Sequence, residues 1–456
     1  MRIVFIGMTL FALFFGAGNL IFPVSIGQLS GQHFDLASFG FVITGVIFPL
    51  LGVMAMGFSG EKDFLKIAQR SGIIFGLIFA TALYLTIGPL FAMPRTGSVS
   101  FEIAIKPFVD ESHTTLYLAI FTLLFYGVCC LLALNPHKFI DIVGKILTPL
   151  KISFILILIL AALIWPMGNP LPAVTENYQN YPFFTGFTYG YLTMDTLASL
   201  IFGIIVVQSI ISIGIKDKTK IIKSCLQASL IAGAILAFFY ISLVYMGATS
   251  VEKLGILDNG GQILARVSTY YFGVWGNLIL GLMVTVACMT TNIGLTHACA
   301  NYLVSLCPKL SYRQYAVLFS IISGLFANIG LSSLISISVP VLSIIYPVTI
   351  VLIVLTFAHS LFNGYKAVYM GTIYLTLLTS ILFEISSIVK SHSEFFNTDW
   401  QWAFTSTKFV DNIFTTYLPL YNEGLGWLIP AFAGAIIGYI YAELMTPNNS
   451  IINREQ

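Results

Sequence analysis

Long apolar runs follow one another through the whole chain, and they constrain its fold more than any other feature. Twelve of them are long enough to cross a hydrocarbon layer of about 30 Å as a helix. They occupy residues 3–28, 36–58, 72–105, 115–134, 149–167, 184–213, 221–247, 273–306, 313–329, 333–357, 367–389 and 424–445. With 57% hydrophobic and 9% charged residues over 456 positions, this apolar surface exceeds what a soluble core can hide. The sequence therefore predicts an all-α integral membrane protein with twelve transmembrane helices, here called segments 1 to 12.

The lysines and arginines between these segments are concentrated in alternate loops. If the N-terminus is cytoplasmic, 15 of the 21 basic residues lie on the cytoplasmic side and 5 on the other, with Arg95 inside segment 3. Loops rich in Lys and Arg remain in the cytoplasm during membrane insertion. We therefore predict cytoplasmic N and C termini and an external loop at residues 390–423. The net charge of +2 gives no indication of nucleic-acid binding.

Segment 1 contains poor helix formers at its centre, in the stretch Phe14-Phe15-Gly16-Ala17-Gly18-Asn19. Glycine loses the most backbone freedom when it is ordered in a helix, and asparagine competes for backbone hydrogen bonds. Opened backbone at membrane depth is tolerated where it lines a polar cavity. The stretch predicts a helix break at a binding site. The alternative is a close helix crossing through small residues.

Segment 6 is the second candidate for a break, since it places an acid and hydroxyls at membrane depth, among them Asp195, Thr196 and Ser199. Paired interruptions in corresponding segments mark the binding sites of transporters built from inverted repeats. Segment 1 is predicted to run outward and segment 6 inward, so repeats of five segments must be inverted. We predict one repeat in residues 1–168, a second in residues 184–357, and segments 11 and 12 in residues 365–445.

Segment 3 carries two charged residues, Arg95 and Glu102, which follow the prolines Pro89 and Pro94. A spacing of seven residues puts both on one face of a continuous helix. A charge at membrane depth is costly unless it faces water or a partner, which favours a role in the transport pathway or a gate. The alternative is that Arg95 lies near the interface and extends its side chain into the headgroup region.

Three of these motifs together resemble a known family. The stretches Gly16-Ala-Gly-Asn-Leu-Ile-Phe-Pro23, Gly88-Pro-Leu-Phe-Ala-Met-Pro-Arg-Thr96 and Gly190-Tyr-Leu-Thr-Met-Asp-Thr-Leu-Ala-Ser-Leu-Ile-Phe-Gly203 are similar to those of the bacterial branched-chain amino acid:cation symporters. With the segment count, the resemblance covers almost the whole chain. It implies the LeuT-type fold of the amino acid-polyamine-cation superfamily, with segments 1–5 and 6–10 as inverted repeats and segments 1 and 6 broken. It also implies uptake of leucine, isoleucine and valine with Na⁺ or H⁺ across the bacterial inner membrane, without a further cofactor.

The resemblance also implies where the coupling ion binds. Sodium-coupled members of this fold use a small residue followed by two hydroxyls on segment 8, which here are Ala287, Thr290 and Thr291, together with the segment 1 carbonyls of Ala12 and Phe15. Taken without the resemblance, such a threonine pair is usually a helix contact or bonds back to its own turn.

The substrate is expected at the break in segment 1. Its carboxylate would lie against the amides of Ala17, Gly18 and Asn19, because a helix N-terminus holds anions. Its ammonium would face carbonyls around Phe14 and residues 195–199 of segment 6. The substrate-binding residues predicted in this way, including the aromatic wall, are Phe14, Ala17, Gly18, Asn19, Asp195, Thr196, Ser199 and Phe202, with Met93 as a further wall.

Other classes of function fit the sequence less well. The six histidines are dispersed, and only His297 lies well inside a segment, where a packed or hydrogen-bonded role is usual. A channel normally builds its filter from rings repeated around a pore. A transporter-like amino acid sensor, or a transporter of another small solute with the same fold, remains open. The six cysteines lie in or beside apolar segments and are expected to be buried thiols.

Overall fold

A computed structural model describes residues 2–61, 63–134, 152–391 and 411–445. These residues form helices joined by turns and loops, and the described ranges hold no β-strand. The principal helices are α1 Arg2–Phe14, α2 Gly18–Ser30, α3 Phe34–Val42, α4 Phe48–Ser59, α5 Ile73–Leu85, α6 Ala92–Ala104, α7 Thr114–Ala133, α8 Ile152–Ile164, α9 Pro182–Tyr189, α10 Asp195–Ser212, α11 Lys218–Leu254, α12 Gly260–Leu306, α13 Tyr312–Ala327, α14 Leu331–Ala358, α15 Lys366–Ser391 and α16 Leu428–Met445.

These helices account for the twelve apolar segments. In the described part of the chain, nine helical stretches are long and apolar enough to cross a membrane, and they hold segments 2–4, 6–8 and 10–12. Segment 1 is divided between α1 and α2, and segments 5 and 9 are formed by the shorter helices α8 and α13. The start of segment 5 and residues 392–410 of the predicted external loop lie outside the described ranges.

Side-chain caps fix where several helices begin. Asp217 accepts from the amide of Lys220 at the start of α11, and Asn259 accepts from the amides of Gly261 and Gln262 at the start of α12. Such caps satisfy amides that have no partner inside the helix. Because these caps precede the apolar runs, α11 and α12 begin earlier than the predicted segments 7 and 8. The backbone of α12 is non-helical at Gly273, with φ 64° and ψ −161°, which is where segment 8 was predicted to begin.

The chain divides into two compact units, each described here by itself. The first comprises Met1–Met54 and Thr81–Val339, and it contains every predicted site residue. Within it, α2 crosses α11 and α3 crosses α9 with their backbones in contact. A methyl group on Gly27 or Gly247 would collide with a carbonyl of the facing helix, and so would one on Gly40 or Gly186. Small residues permit this approach in membrane proteins.

The second unit comprises Ala55–Ala80 and Pro340–Gln456. Here α15 and α16 cross at Gly371, Gly434 and Gly438 in the same manner. A polar cluster lies at the end of α14, where His359 Nδ1 is 2.9 Å from the Tyr369 hydroxyl and Arg70 donates to the same hydroxyl at 3.3 Å. Burial lowers the pKa of His359, and the charge of Arg70 lowers it further. The imidazole is therefore favoured in its neutral, hydrogen-bonding form.

Candidate functional site

The break predicted in segment 1 is present. Helix α1 ends at Phe14, and α2 begins at Gly18 after three residues of irregular backbone. The Gly16 amide donates to Phe14 O at 2.7 Å and to Asn19 Oδ1 at 3.0 Å. The side chain of Asn19 thus takes part in opening the helix, as expected for a residue that competes for backbone groups. Among the described residues, the amides of Ala17, Gly18 and Asn19 find no acceptor, because they lie at the start of α2.

Segment 6 is also broken. Helix α9 passes into a 3₁₀ turn over Gly190–Thr193, Met194 adopts a left-handed conformation with φ 62° and ψ 10°, and α10 begins at Asp195. The Thr193 hydroxyl accepts from the Asp195 amide at 3.3 Å. A left-handed conformation at a residue other than glycine is uncommon and is held only where the surroundings enforce it. The turn places the Asp195 carboxylate at a helix N-terminus, where a negative charge is favoured.

A cluster of buried side chains joins the two breaks. Asn19 Nδ2 donates to Asp195 Oδ2 at 2.6 Å, and the Tyr240 hydroxyl donates to the same oxygen at 2.7 Å. Asn19 Nδ2 also donates to the Tyr240 hydroxyl. The three residues are 3%, 4% and 0% exposed, respectively, so these hydrogen bonds are made out of contact with bulk water. Tyr240 belongs to α11 and was not among the residues predicted from the sequence.

Arg95 lies between the same two breaks. Its Nη1 donates to Leu192 O at 2.5 Å, its guanidinium carbon is 4.8 Å from the centre of the Phe22 ring, and Nη2 is 3.8 Å from Met194 Sδ. A methyl group on Gly18 would lie 3.2 Å from Arg95 Nη1. The side chain is 3% exposed, so the alternative in which it extends to the membrane interface is wrong.

A sharp kink precedes Arg95. The backbone of Gly88 is non-helical, with φ −94° and ψ −128°, and α6 begins at Ala92. Glu102 lies seven residues beyond Arg95 on this helix, as predicted, and it is also buried. Glu102 Oε1 accepts from Lys106 Nζ at 2.9 Å, and Glu102 lines a cavity of about 210 Å³. Arg95 and Glu102 therefore have different partners, although they lie on the same helix.

The residues predicted to form an apolar wall, Phe14, Phe202 and Met93, lie in two places. The rings of Phe14 and Phe202 meet edge to face, with centroids 5.5 Å apart. Met93 is fully buried, and its sulfur lies 3.9 Å from the Thr296 hydroxyl of α12. Its sulfur therefore lies against α12.

Thr196 and Ser199 were predicted to bind substrate, but their hydroxyls donate to backbone carbonyls and do not join the contact of Asn19 with Asp195. Thr196 Oγ1 donates to Thr44 O, at the junction of α3 and α4, at 3.0 Å, and Ser199 Oγ donates to Thr196 O at 2.6 Å. Gly190 packs against the same Thr44, leaving no room for a β-carbon. The Thr196 contact joins α10 to the junction of α3 and α4, whereas the Ser199 contact lies within α10.

Three of the five predicted ion-binding residues, Ala287, Thr290 and Thr291, lie on one face of α12. The hydroxyls of Thr290 and Thr291 both donate to Ala287 O, at 2.7 and 3.1 Å. A methyl group on Gly16 would lie 3.4 Å from Thr291 Oγ1, so this hydroxyl faces the break in segment 1. Ala12 is half-buried, and the Phe15 ring stacks on Phe11. In the described ranges no group of three or more His, Cys, Asp and Glu side chains could hold a metal ion.

Other polar residues of α12 have structural contacts. Asn292, which was not predicted, donates to Thr96 Oγ1 at 3.1 Å and joins α12 to α6. His297 is hydrogen-bonded as expected, since Nδ1 is 3.3 Å from the Tyr312 hydroxyl and Nε2 is 3.0 Å from Asn301 Nδ2. Four of the six cysteines are buried, and Cys130 and Cys307 are partly exposed.

Solved structures show which fold this arrangement represents. MhsT in complex with L-phenylalanine matches with a TM-score of 0.56 and 15% identity over 97% of this chain and 98% of that chain. Mhp1, a nucleobase-cation-symport-1 family transporter in a closed conformation with bromovinylhydantoin bound, matches with a TM-score of 0.56 and 13% identity over 96% and 92%. The protein therefore has the LeuT-type transporter fold that the resemblance implied.

Sequence relatives identify the family. The profile of the family described as "Branched-chain amino acid transport protein" matches residues 1–445. The chain is 48% identical to the branched-chain amino acid permease BrnQ of Bacillus subtilis (strain 168) over 97% of both chains. It is 44% identical to the permease BraB of the same organism, over 98% of this chain and 97% of that one. It is 38% identical to BrnQ of Escherichia coli (strain K12), over 96% and 95%. The chain belongs to the family of branched-chain amino acid transport proteins, as its motifs indicated.

Proposed function

We propose that this protein imports leucine, isoleucine and valine across the bacterial inner membrane by symport with Na⁺ or H⁺. The observation that carries this proposal is the meeting of two broken helices, at Gly16 and at Met194, through the buried contact of Asn19 with Asp195. Broken helices supply free backbone groups at membrane depth, where they bind substrate and ion.

The substrate is bound at the break in segment 1. Its carboxylate lies against the amides of Ala17, Gly18 and Asn19, which have no acceptor among the described residues. Its ammonium faces segment 6 at Asp195. Phe14 and Phe202, whose rings are in contact, form a wall beside the aliphatic side chain. One methylene changes the affinity by only about 1–3 kcal/mol in an apolar pocket, so leucine, isoleucine and valine compete with one another.

The coupling ion, if it is Na⁺, is bound between α12 and the break. The hydroxyls of Thr290 and Thr291 and the Ala287 carbonyl are neutral oxygen donors within one turn of α12. The carbonyls of Ala12 and Phe15 complete the set. If H⁺ is the coupling ion, Asp195 is the group in contact with both breaks that can carry it.

Transport follows an alternating-access cycle between inverted repeats at residues 1–168 and 184–357, with residues 365–445 outside the repeats. Arg95 and Glu102 line the pathway, and both termini are cytoplasmic. The distribution of basic residues supports this orientation. A cysteine probe at position 420 should react with an impermeant reagent from outside the cell, whereas one replacing Lys218 should not; the reverse pattern would contradict the orientation.

Reconstitution into proteoliposomes tests the function. Radiolabelled L-leucine should accumulate when an inward Na⁺ or H⁺ gradient is imposed, and unlabelled isoleucine and valine should compete while lysine and glutamate should not. Applying the two gradients separately identifies the coupling ion. Protein-free liposomes give the background. Leucine uptake that merely equilibrates under either gradient would exclude symport, and specific binding without uptake would favour a sensor.

A further inference from the structure

Gly18 and Asn19, the first two residues of α2, face opposite charges. A methyl group on Gly18 would lie 3.2 Å from Arg95 Nη1, whereas the Asn19 side chain donates to Asp195 Oδ2 at 2.6 Å. Consecutive Cα atoms are about 3.8 Å apart. A guanidinium and a carboxylate therefore both lie at the start of α2, beside the break in segment 1.

The break in segment 6 holds the same two charges. Leu192 O accepts from Arg95 Nη1 at 2.5 Å, and Asp195 follows three residues later in the chain. The two charged groups are 3% and 4% exposed, so neither is screened by bulk water. Burying charges is costly, and such residues at membrane depth usually have a function.

A free α-amino acid carries the complementary pair of charges, since its ammonium and its carboxylate are both attached to the α-carbon. We propose that Arg95 binds the α-carboxylate of the substrate while Asp195 faces the ammonium; this rests on the proposed function. A guanidinium binds a carboxylate through two parallel hydrogen bonds, and the free amides at the start of α2 lie beside it. Arg95 is then a substrate-binding residue, and it selects against analogues whose carboxylate is neutralised.

Ligand analogues combined with variants test this assignment. The full-length protein in lipid nanodiscs is incubated with radiolabelled L-leucine and Na⁺, and the label is displaced with L-leucine, L-leucinamide or 4-methylpentanoate. Leucinamide lacks the carboxylate charge, and 4-methylpentanoate lacks the ammonium. Hydrogen bonds to charged groups lead us to expect wild-type protein to prefer leucine over leucinamide by roughly 10- to 100-fold.

In Arg95→Gln, affinity for leucine should fall by that factor while affinity for leucinamide changes little, so the preference disappears. Arg95→Lys keeps the charge without the planar fork, and it should retain an intermediate preference. Glu384→Gln, a buried change of an acidic residue on α15 in the second unit, is the control and should keep the full preference.

The possible failures are distinguishable. A wild-type protein that binds no leucine contradicts the proposed function. A wild-type protein that binds leucine and leucinamide equally overturns the role of Arg95 without any variant. An Arg95→Gln or Arg95→Lys protein that keeps the wild-type preference also overturns it.

Discussion

Glycine has two different roles in this protein, at the crossing of α2 with α11 and at the break before α2. At the crossing, a β-carbon on Gly27 or Gly247 would collide with a backbone carbonyl of the other helix. At the break, a β-carbon on Gly16 or Gly18 would meet side-chain atoms at 3.4 and 3.2 Å. Crossing glycines allow backbones to touch, whereas break glycines leave space beside functional side chains. The same residue type thus permits backbone contact in one place and leaves room for neighbouring side chains in the other.

The largest expected effect follows from the crossing. Gly27→Ala places a methyl group against Val244 O, and neither backbone can move without separating the helices. Overpacking typically costs about 1–3 kcal/mol, and more where backbone must shift. We expect little folded protein and a lowered thermal stability, measured by size-exclusion profile and melting temperature.

The matched control for this change is Gly127→Ala in α7, where a β-carbon has no neighbour within 4 Å. It should be as stable as wild type or slightly more stable, because alanine is the better helix former. Equal stability of the two variants would contradict the role assigned to Gly27.

At the break before α2 we expect the opposite combination, in which leucine binding is lost but folding is retained. Gly18→Leu should abolish leucine binding while the protein remains folded and inserted, because the added side chain meets side-chain atoms of Arg95 and Phe22 and not a facing backbone. The readouts are radiolabelled leucine binding and size-exclusion profile. Gly127→Leu, on an open helix surface, should bind normally. Wild-type uptake by Gly18→Leu would show that this break is only a packing feature.

Local chemistry allowed both breaks to be predicted from the sequence. Gly16, Gly18 and Asn19 weaken a helix wherever it lies, and Asp195 at membrane depth indicates a polar environment. The family resemblance then implied the fold, and relatives such as BrnQ of Bacillus subtilis, 48% identical, align with this chain over 97% of their own length. These inferences need only the residue and its immediate neighbours.

The partners of these residues could not be predicted in the same way. Tyr240 lies in an apolar aromatic run and has no local signature that distinguishes it from a packed tyrosine. Its role depends on α11 crossing both breaks, which is a non-local property. Thr196 shows that the contacts of a predicted residue are equally non-local. It follows Asp195 directly, but successive residues point about 100° apart on a helix, and its hydroxyl bonds to Thr44.

A smaller effect is expected at the contact between the breaks. Tyr240→Phe removes the hydroxyl that donates to Asp195 Oδ2, whereas the Asn19 side chain still donates to the same oxygen. Loss of one such hydrogen bond should reduce leucine affinity by roughly 5- to 10-fold with little change in expression. Equilibrium binding of radiolabelled leucine to the variant and to wild type measures this loss of affinity.

Tyr302→Phe is the control for this variant. Tyr302 is also buried and its hydroxyl is 3.0 Å from Thr81 Oγ1, so the same chemical change is made away from the breaks. It should leave leucine affinity unchanged. Equal losses in both variants would assign Tyr240 a purely structural role.

The smallest effect is expected from a change at Thr291 of α12, whose hydroxyl faces the break in segment 1. Thr285, on the same helix, is not among the proposed ion-binding residues and supplies the control. Both hydroxyls donate to a carbonyl four residues earlier, at 3.1 Å for Thr291 and 2.7 Å for Thr285, so Thr285→Ala removes an equivalent helix contact. If Thr291 binds Na⁺, Thr291→Ala should raise the Na⁺ concentration for half-maximal uptake by about threefold or more. Thr291→Ser keeps the hydroxyl and should restore the wild-type value. An unchanged Na⁺ dependence in Thr291→Ala, or the same shift in Thr285→Ala, would mean that the ion site lies elsewhere or that H⁺ drives transport. In either case the proposed amino acid site would stand, because the amides at the start of α2 and the contact of Asn19 with Asp195 do not depend on the Thr291 hydroxyl.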